Sequence, residues 1–302
     1  MTTDVHPPRP EPDPPHVGAS GGAPRRGPLR RYLETRGVVG GHRSPHVHTR
    51  LVAADGTELA GTHLPGPAAA PGAVLLLHGF AANRRKPAYA RLADGLARSC
   101  GVLALDLRGH GGSSGQCTLG DAEVADVAAG VRWLRAYGYR RVALLGASMG
   151  GTAALHAVAT GVAVDAVATV SAPGWFHDPP RTAPLRRLHA LWQSPLQRAG
   201  LRTLVGVHLA APERWRGPAH PVEMVRDVAV PLLVVHGEDD DYFPVEDAAA
   251  LVAGAAGPAT LWRRPAGFGH AEDGLTPAMV DALAVALHAV LADGAFPPAP
   301  PA

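Results

Sequence analysis

Short apolar runs alternate with longer, alanine-rich stretches over most of the chain, and this alternation is the feature that most limits its fold. Apolar runs without polar interruption are typical of strands that helices cover on both faces. We therefore predict an α/β fold with a mainly parallel central β-sheet flanked by helices. The predicted strands are 73–77, 102–105, 142–145, 164–170, 230–235 and 260–262, and the predicted helices are 87–99, 119–137, 150–160, 245–253 and 277–292.

Two further strands are predicted ahead of this alternation, at 46–53 and 57–63. The dipeptide Asp55-Gly56 between them is a strong signal for a tight hairpin turn. The sheet is thus expected to begin with an antiparallel pair.

The segment 173–228, called the insertion below, interrupts the alternation after the sixth predicted strand. It holds Trp175, Trp192 and Trp215, and its eight arginines outnumber its four carboxylates, a balance more typical of solvated surface than of an anion site. We predict that it folds as a helical lid, which leaves residues 29–172 and 229–295 as the core of the fold.

Composition sets the two chain ends apart from this core. Residues 1–28 hold eight prolines and four glycines, a composition that predicts a disordered tail. The proline-rich residues 296–302 are expected to form a frayed, disordered end.

Charge and apolar content exclude several classes of protein. A net charge of +2 provides no polycationic surface, so nucleic-acid binding is not expected. The apolar runs are too short for a membrane span, and the N-terminus lacks the apolar segment of a signal peptide, so we expect a cytoplasmic protein. Cys100 and Cys117 are too few for a disulfide framework, and we expect no metal site and no cofactor, because no phosphate-loop or dinucleotide motif is present.

The strongest chemical motif is Gly146-Ala147-Ser148-Met149-Gly150. It fits the pattern G-x-S-x-G and lies between a predicted buried strand and a predicted helix. A sharp strand-to-helix turn lifts a serine hydroxyl above the sheet edge, and the flanking glycines let strand and helix approach closely. Ser148 is therefore the candidate nucleophile.

Together with this turn, the order of four other motifs resembles the α/β-hydrolase family over about residues 46–292. These are His78-Gly-Phe80, Asp106-Leu-Arg-Gly-His-Gly-Gly-Ser113, His236-Gly-Glu-Asp-Asp-Asp-Tyr-Phe-Pro244 and Gly267-Phe-Gly-His270. The chain looks most like the lid-bearing serine esterases, monoacylglycerol lipases and serine peptidases of that family.

The resemblance implies a catalytic triad in the order nucleophile, acid, histidine. His270 is the implied base, and the spacing to Pro244 makes Asp240 the implied acid rather than its carboxylate neighbours, which we expect to be solvated and to play no part in orienting the base. The backbone N–H groups of Phe80 and Met149 are the implied oxyanion donors.

Three tryptophans and three histidines have less direct roles in this interpretation. Trp175, Trp192 and Trp215 are expected to line the substrate pocket, or else to pack the lid onto the sheet. The resemblance gives loop-shaping roles to His78, His110 and His236.

The expected function is hydrolysis of a carboxylic ester through an acyl-enzyme on Ser148, with a small-molecule ester or amide as substrate. A serine aminopeptidase or amidase, an acyltransferase, and a catalytically silent binding protein remain alternatives within the same fold. Haloalkane or epoxide chemistry is disfavoured, because those relatives carry an aspartate at the position of Ser148. Oligomeric state, natural substrate and acyl-chain length stay open.

Overall fold

The computed structural model describes residues 40–301, and these residues form an eight-stranded sheet. Its strand order is β1-β2-β4-β3-β5-β6-β7-β8, with β2 antiparallel to both of its neighbours and every other pair parallel. The strands are β1 Val47–Val52, β2 Glu58–Leu64, β3 Ala73–Leu77, β4 Gly101–Leu105, β5 Val142–Ala147, β6 Ala166–Val170, β7 Leu232–Gly237 and β8 Ala259–Arg264. The mainly parallel sheet predicted from the apolar runs is confirmed. The tail predicted for residues 1–28 lies outside the described residues.

Helices cover both faces of this sheet. They are α1 Pro87–Leu96, α2 Val124–Tyr137, α3 Met149–Ala159, α4 Ala183–Gln193, α5 Pro195–Leu204, α6 Pro221–Met224, α7 Val245–Gly254 and α8 Pro277–Asp293. Successive residues of β3 enter opposite cores: Val74 and Leu76 pack with α1 and α8, whereas Leu75 and Leu77 pack with α2 and α3. The continuous apolar runs thus follow from burial on two faces.

The hairpin between β1 and β2 differs in detail from the predicted two-residue turn. The N–H of Ala53 donates to the carbonyl of Thr57 at 2.9 Å, so three residues form the loop. Gly56, its last residue, has a φ of +84°, a conformation that glycine adopts without a steric penalty. The Asp55-Gly56 signal therefore located the turn correctly but not its length.

The insertion lies between β6 and β7 and contains α4, α5 and α6. It is attached to the core at separate points. Cys117 and Leu209 form a short parallel bridge, and the N–H of Gly174 donates to the Asp247 carboxylate at 2.7 Å. Within the insertion, the indole N–H of Trp192 donates to the carbonyl of Ala210 at 3.0 Å.

The C-terminal segment, predicted to form a frayed end, contacts the core within the described residues. Phe296 packs against the core, and two backbone carbonyls accept hydrogen bonds from β8. The donors are the indole N–H of Trp262, to Pro297 at 3.3 Å, and the guanidinium of Arg264, to Pro300 at 3.2 Å. Proline has no N–H but keeps its carbonyl, so a proline-rich segment still offers acceptors.

No helix within residues 40–301 has both the length and the apolar character needed to cross a bilayer.

The approach of α3 to the sheet depends on two glycines. A side-chain carbon at Gly146 would lie 2.3 Å from the carbonyl oxygen of Gly150, and one at Gly150 would lie 2.5 Å from that of Leu77. Both distances are far below van der Waals contact with rigid backbone. Only glycine at both positions lets α3 begin directly at the end of β5.

We predict that Gly150→Ala lowers the free energy of unfolding by about 1–3 kcal/mol, because the added methyl group must displace backbone. Gly200→Ala is the matched control: Gly200 lies in α5 with no atom near the position of an added methyl group. This control should raise the stability by up to about 1 kcal/mol. Urea unfolding of both variants measures the difference, and equal stabilities would contradict the close-approach argument.

Candidate active site

Ser148 occupies the sharp turn between β5 and α3. Its backbone has φ 49° and ψ −116°, a conformation rare for a residue with a side chain. The turn is held because the N–H of Ser148 donates to the carbonyl of Val170 at 2.8 Å, and the Ser148 carbonyl accepts from Gly151 at 2.9 Å. The strand-turn-helix setting predicted for the motif is present.

His270 and Asp240 lie beside this serine. Asp240 is on the loop that follows β7, and His270 is on the loop that follows β8. His270 Nε2 is 3.0 Å from Ser148 Oγ, and His270 Nδ1 is 2.8 Å from Asp240 Oδ2 and 3.0 Å from Oδ1. A carboxylate can only accept, so Nδ1 carries the proton and Nε2 is left as the acceptor for the serine hydroxyl. The structure thus brings together the three side chains that the sequence analysis selected.

The Asp240 carboxylate is completely buried but well supplied with donors. Besides His270, the N–H groups of Tyr242 and Phe243 donate to Oδ1 at 2.9 and 3.1 Å. Burial by itself would raise the pKa of Asp240, but these hydrogen bonds and the nearby imidazole outweigh it and hold the pKa below its usual value. Asp240 is therefore ionised at neutral pH.

The imidazole of His270 is oriented by contacts on its face and along its chain. The ring of Tyr242 stacks on it, with centroids 4.2 Å apart and planes 27° apart. The next residue, Ala271, donates its N–H to Ser171 Oγ at the end of β6, at 3.0 Å. These contacts limit both rotation of the ring and movement of its loop.

Phe80 and Met149 line the same cavity as Ser148. Met149 is the first residue of α3, and Phe80 follows Gly79, where an added side-chain carbon would lie 3.5 Å from Ser148 Cβ. Within the described part of the chain, neither N–H has a hydrogen-bond partner. Two free N–H groups, one of them at a helix N-terminus, suit a site where negative charge develops.

Two buried histidines shape the backbone around Phe80. His78 accepts from the N–H of Leu107 at 3.0 Å and donates to the carbonyl of Gly79 at 2.8 Å. His110 accepts from the N–H of Ala81 at 3.3 Å and donates to the carbonyl of Arg108 at 3.0 Å. In each ring one nitrogen must accept, so both imidazoles are neutral. Burial is the main reason that the pKa is lowered to about 4 for His78 and about 3 for His110.

His236, the third histidine for which a loop-shaping role was expected, supports the loop that carries Asp240. Its Nε2 donates to the carbonyl of Phe243 at 3.0 Å and lies 3.6 Å from Asp240 Oδ2.

A tyrosine connects the Phe80 segment to the loop of His270. The hydroxyl of Tyr89 accepts from the N–H of Gly79 at 3.0 Å and donates to Glu272 Oε2 at 2.9 Å. Burial and the Glu272 charge raise the pKa of Tyr89 well above its usual value, so the hydroxyl keeps its proton. The other oxygen of Glu272 pairs with the ammonium group of Lys86.

Asp239, a neighbour of Asp240, is hydrogen-bonded to the loop that carries His270. Its carboxylate accepts from the N–H of Gly267 at 2.5 Å and from that of Gly269 at 3.0 Å. These bonds lower its pKa, and they hold the turn that leads directly into His270. Asp239 is exposed, as predicted, but it is bonded to the histidine loop.

Unusual backbone conformations concentrate in this region. Five non-glycine residues of the described chain have positive φ, namely Ala81, Leu119, Ser148, Ser171 and Ala271. Three of them line the cavity at Ser148, and the other two adjoin Phe80 and Ala271. Such conformations cost free energy and persist where the surrounding structure enforces them.

A cavity of about 750 Å³ opens from Ser148 and His270 into the insertion. Trp175, Trp192 and Trp215 all line it, as do Phe80 and Met149. The three tryptophans are thus at the cavity that contains the candidate nucleophile. No cluster of side chains suited to holding a metal ion is found among residues 40–301.

Sequence reasoning did not identify Tyr89, Ser171, Tyr242 or Glu272. Tyr242 could have been identified from the sequence, because this residue lies within the motif that contains Asp240. The hydrogen bond between Tyr89 and Glu272 joins residues 183 positions apart and has no local signal in the sequence.

Comparison with known families agrees with this architecture. The sequence profile of a family described as alpha/beta hydrolase fold matches residues 72–210. No curated protein matches the chain in sequence.

Several solved structures have a similar fold. An esterase of Pyrococcus furiosus is 22% identical with a TM-score of 0.60, and the alignment covers 77% of this chain and 89% of that one. An esterase of a Rhodococcus species is 22% identical with a TM-score of 0.58, covering 82% and 99%. An esterase of Exiguobacterium antarcticum is 20% identical with a TM-score of 0.61, covering 81% and 99%. The chain has the α/β-hydrolase fold, as its motifs predicted.

Because His78 and His110 are neutral in the folded protein, we predict that the protein loses stability in acid. In the unfolded chain they take up protons below about pH 6.5, whereas in the folded chain His78 and His110 do so only near pH 4 and 3. Stability should therefore be complete above pH 6.5 and should fall as the pH decreases from there, by up to about 1.4 kcal/mol per pH unit for each ring. Urea unfolding at pH 7.5 and pH 5 measures this. His110→Gln, which keeps a donor and an acceptor but does not titrate, should show a smaller difference, and an unchanged difference would contradict the assignment.

Asp239→Ala should slow the reaction of Ser148 with a serine-directed phosphonate by about 10-fold or more, because it frees the turn that positions His270. Asp241→Ala removes an exposed carboxylate two positions away and serves as the matched control, with a change of less than about 2-fold. The second-order labelling rate is the measurement. Equal rates for the two variants would mean that the Asp239 bonds do not position the base.

Proposed function

We propose that this protein is a serine hydrolase that cleaves carboxylic esters through an acyl-enzyme on Ser148. The observation that carries the proposal is the line of hydrogen bonds from Asp240 through His270 to Ser148 Oγ. A serine hydroxyl is a weak nucleophile until a base accepts its proton, and this arrangement supplies a base that is itself oriented by a carboxylate.

In the acylation step, Ser148 Oγ attacks the ester carbonyl while its proton passes to His270 Nε2. The bond from Oγ to the carbonyl carbon forms as the carbonyl π bond opens, which places negative charge on the oxygen. Asp240, ionised and buried, stabilises the imidazolium formed in this step. The protonated Nε2 then gives its proton to the departing alkoxide as the ester bond breaks.

The negative oxygen is proposed to accept from the N–H groups of Phe80 and Met149. Neither group is committed to another acceptor within the described residues, and His78, His110 and Tyr89 hold the backbone on either side of Phe80. Donors fixed before the reaction need no reorganisation when the charge appears.

Deacylation repeats the same proton transfers with water in place of the serine hydroxyl. His270 Nε2 takes a proton from water, the resulting hydroxide attacks the acyl carbon, and Ser148 Oγ leaves with a proton from the imidazolium. The products are a carboxylic acid and the original enzyme, and no cofactor enters the scheme.

The insertion is proposed to act as the lid of this site, and residues 40–172 and 229–295 are proposed to form the core of the fold. The tryptophans and Phe176 from the insertion, together with Tyr242 and Phe243 from the core, give the cavity six aromatic side chains. Apolar walls favour substrates with apolar groups and keep bulk water from the acyl-enzyme. The similar folds of the esterases described above support an ester as the substrate.

We predict that Ser148→Ala and His270→Ala each reduce the hydrolysis of 4-nitrophenyl butyrate by about 10⁴-fold or more, since each removes a member of one catalytic unit. Asp240→Asn should also cost orders of magnitude, because it leaves the imidazole without its negative partner. The measurement is kcat/KM, with circular dichroism to establish that each variant is folded.

Ser99→Ala is the matched control for the serine change, because Ser99 lies far from the cavity at the end of α1 and should leave kcat/KM unchanged. Hydrolysis at the wild-type rate by folded Ser148→Ala protein would overturn the proposed nucleophile. A parallel assay with 4-nitrobutyranilide separates esterase from amidase activity.

A further inference from the structure

The part of the cavity formed by the insertion contains a corner of three aromatic rings. Phe176 meets Trp215 with centroids 5.8 Å apart and planes at 84°, and Trp192 meets Trp215 at 5.7 Å and 85°. All three are only partly buried, and all three line the cavity that holds Ser148. Rings that meet at right angles form a corner, and a group seated in that corner can contact their negatively polarised faces.

The charges around this corner are of one sign. Among the described residues that line the cavity, none is lysine or arginine, although the insertion itself holds eight arginines. Three of the lining residues are carboxylates, Asp178, Glu272 and Asp273. Glu272 is neutralised by Lys86, whereas Asp178 and Asp273 are exposed and have no ion pair within the described part of the chain.

Two groups near the cavity could add positive charge, Arg181 and His177. Arg181 does not line the main cavity but an adjoining one of about 160 Å³, which shares five lining residues with it: Trp175, His177, Leu185, Tyr242 and Phe243. His177 lines the main cavity, but burial and the nearby Arg181 lower its pKa, so it is neutral at physiological pH. The cavity therefore combines aromatic faces with net negative charge.

We propose that the substrates of this site are esters that carry a trialkylammonium group, which binds in the corner formed by Phe176, Trp192 and Trp215. This inference rests on the proposed function, because it names the substrate class for the same reaction. A trialkylammonium group has no N–H to donate and spreads its charge over its alkyl groups, so it is attracted to aromatic faces without needing a polar partner. Asp178, two residues from Phe176, adds longer-range attraction to the same charge.

The test compares pairs of esters that differ in charge but hardly in shape. The first pair is butyrylcholine and 3,3-dimethylbutyl butyrate, which places the ammonium group on the alcohol. The second is ethyl 4-(trimethylammonio)butanoate and ethyl 5,5-dimethylhexanoate, which places it on the acid. We expect kcat/KM for the charged ester to exceed that of its neutral partner by about 10-fold or more in one of the pairs.

Substitutions in the corner should remove this preference selectively. Trp192→Leu and Trp215→Leu should each bring the ratio of charged to neutral ester close to one, and Asp178→Asn should lower it in a salt-dependent manner. Trp133→Leu is the matched control, because Trp133 is a partly buried tryptophan on α2 that does not line the cavity. That variant should keep the preference.

Two outcomes would overturn the inference: equal or lower kcat/KM for the charged ester in both pairs, or a preference that survives in both corner variants. Failure of the proposed function gives a different pattern, in which 4-nitrophenyl butyrate is not hydrolysed and Ser148 is not labelled by phosphonate. In that case binding still decides the inference. Quenching of tryptophan fluorescence by tetramethylammonium, absent in Trp215→Leu, supports it, and the absence of quenching in the parent protein overturns it.

Discussion

The imidazole of His270 has a hydrogen-bond partner on each side, and this double contact is possible only if three distant segments of the chain meet within a few ångströms. Ser148 comes from the turn after β5, Asp240 from the loop after β7, and His270 from the loop after β8. A parallel sheet brings the carboxyl ends of these strands to one edge. The remaining contacts of the site serve to keep the three segments in register.

Each segment is held by bonds that do not involve the candidate catalytic groups themselves. The serine turn depends on the glycines that let α3 approach β3, and the histidine loop is tied to Asp239, Ser171 and Tyr89 through separate hydrogen bonds. Because these contacts come from different strands and helices, no single loop positions the histidine. This redundancy is consistent with the positive φ angles that the same region maintains.

Burial determines which groups of the site carry charge. The imidazoles of His78 and His110 are neutral because each must accept an N–H in a position without access to water. Asp240 is equally buried but remains ionised, since its oxygens receive several N–H donors. The charge needed to stabilise an imidazolium is thereby kept beside His270.

The strands and helices of the core could be predicted from the sequence because burial on two faces leaves an uninterrupted apolar signal. The candidate site could be predicted where short motifs accompany strand ends, as at Ser148, Asp240 and His270. Contacts between distant residues, such as Tyr89 with Glu272 or the C-terminal carbonyls with β8, depend on the three-dimensional arrangement and leave no local pattern. The hydrogen bonds of Asp239 could not be predicted for a related reason, since their donors lie in a loop about thirty residues away.

A crystal structure of the protein after reaction with a butyl phosphonate ester tests the central claim most directly, because the phosphonate imitates the tetrahedral intermediate. We expect a covalent bond from phosphorus to Ser148 Oγ, with the phosphonyl oxygen about 2.7–3.1 Å from the N–H nitrogens of both Phe80 and Met149. A phosphonate bonded to a different residue, or one bonded to Ser148 with its oxygen directed away from these two groups, would contradict it.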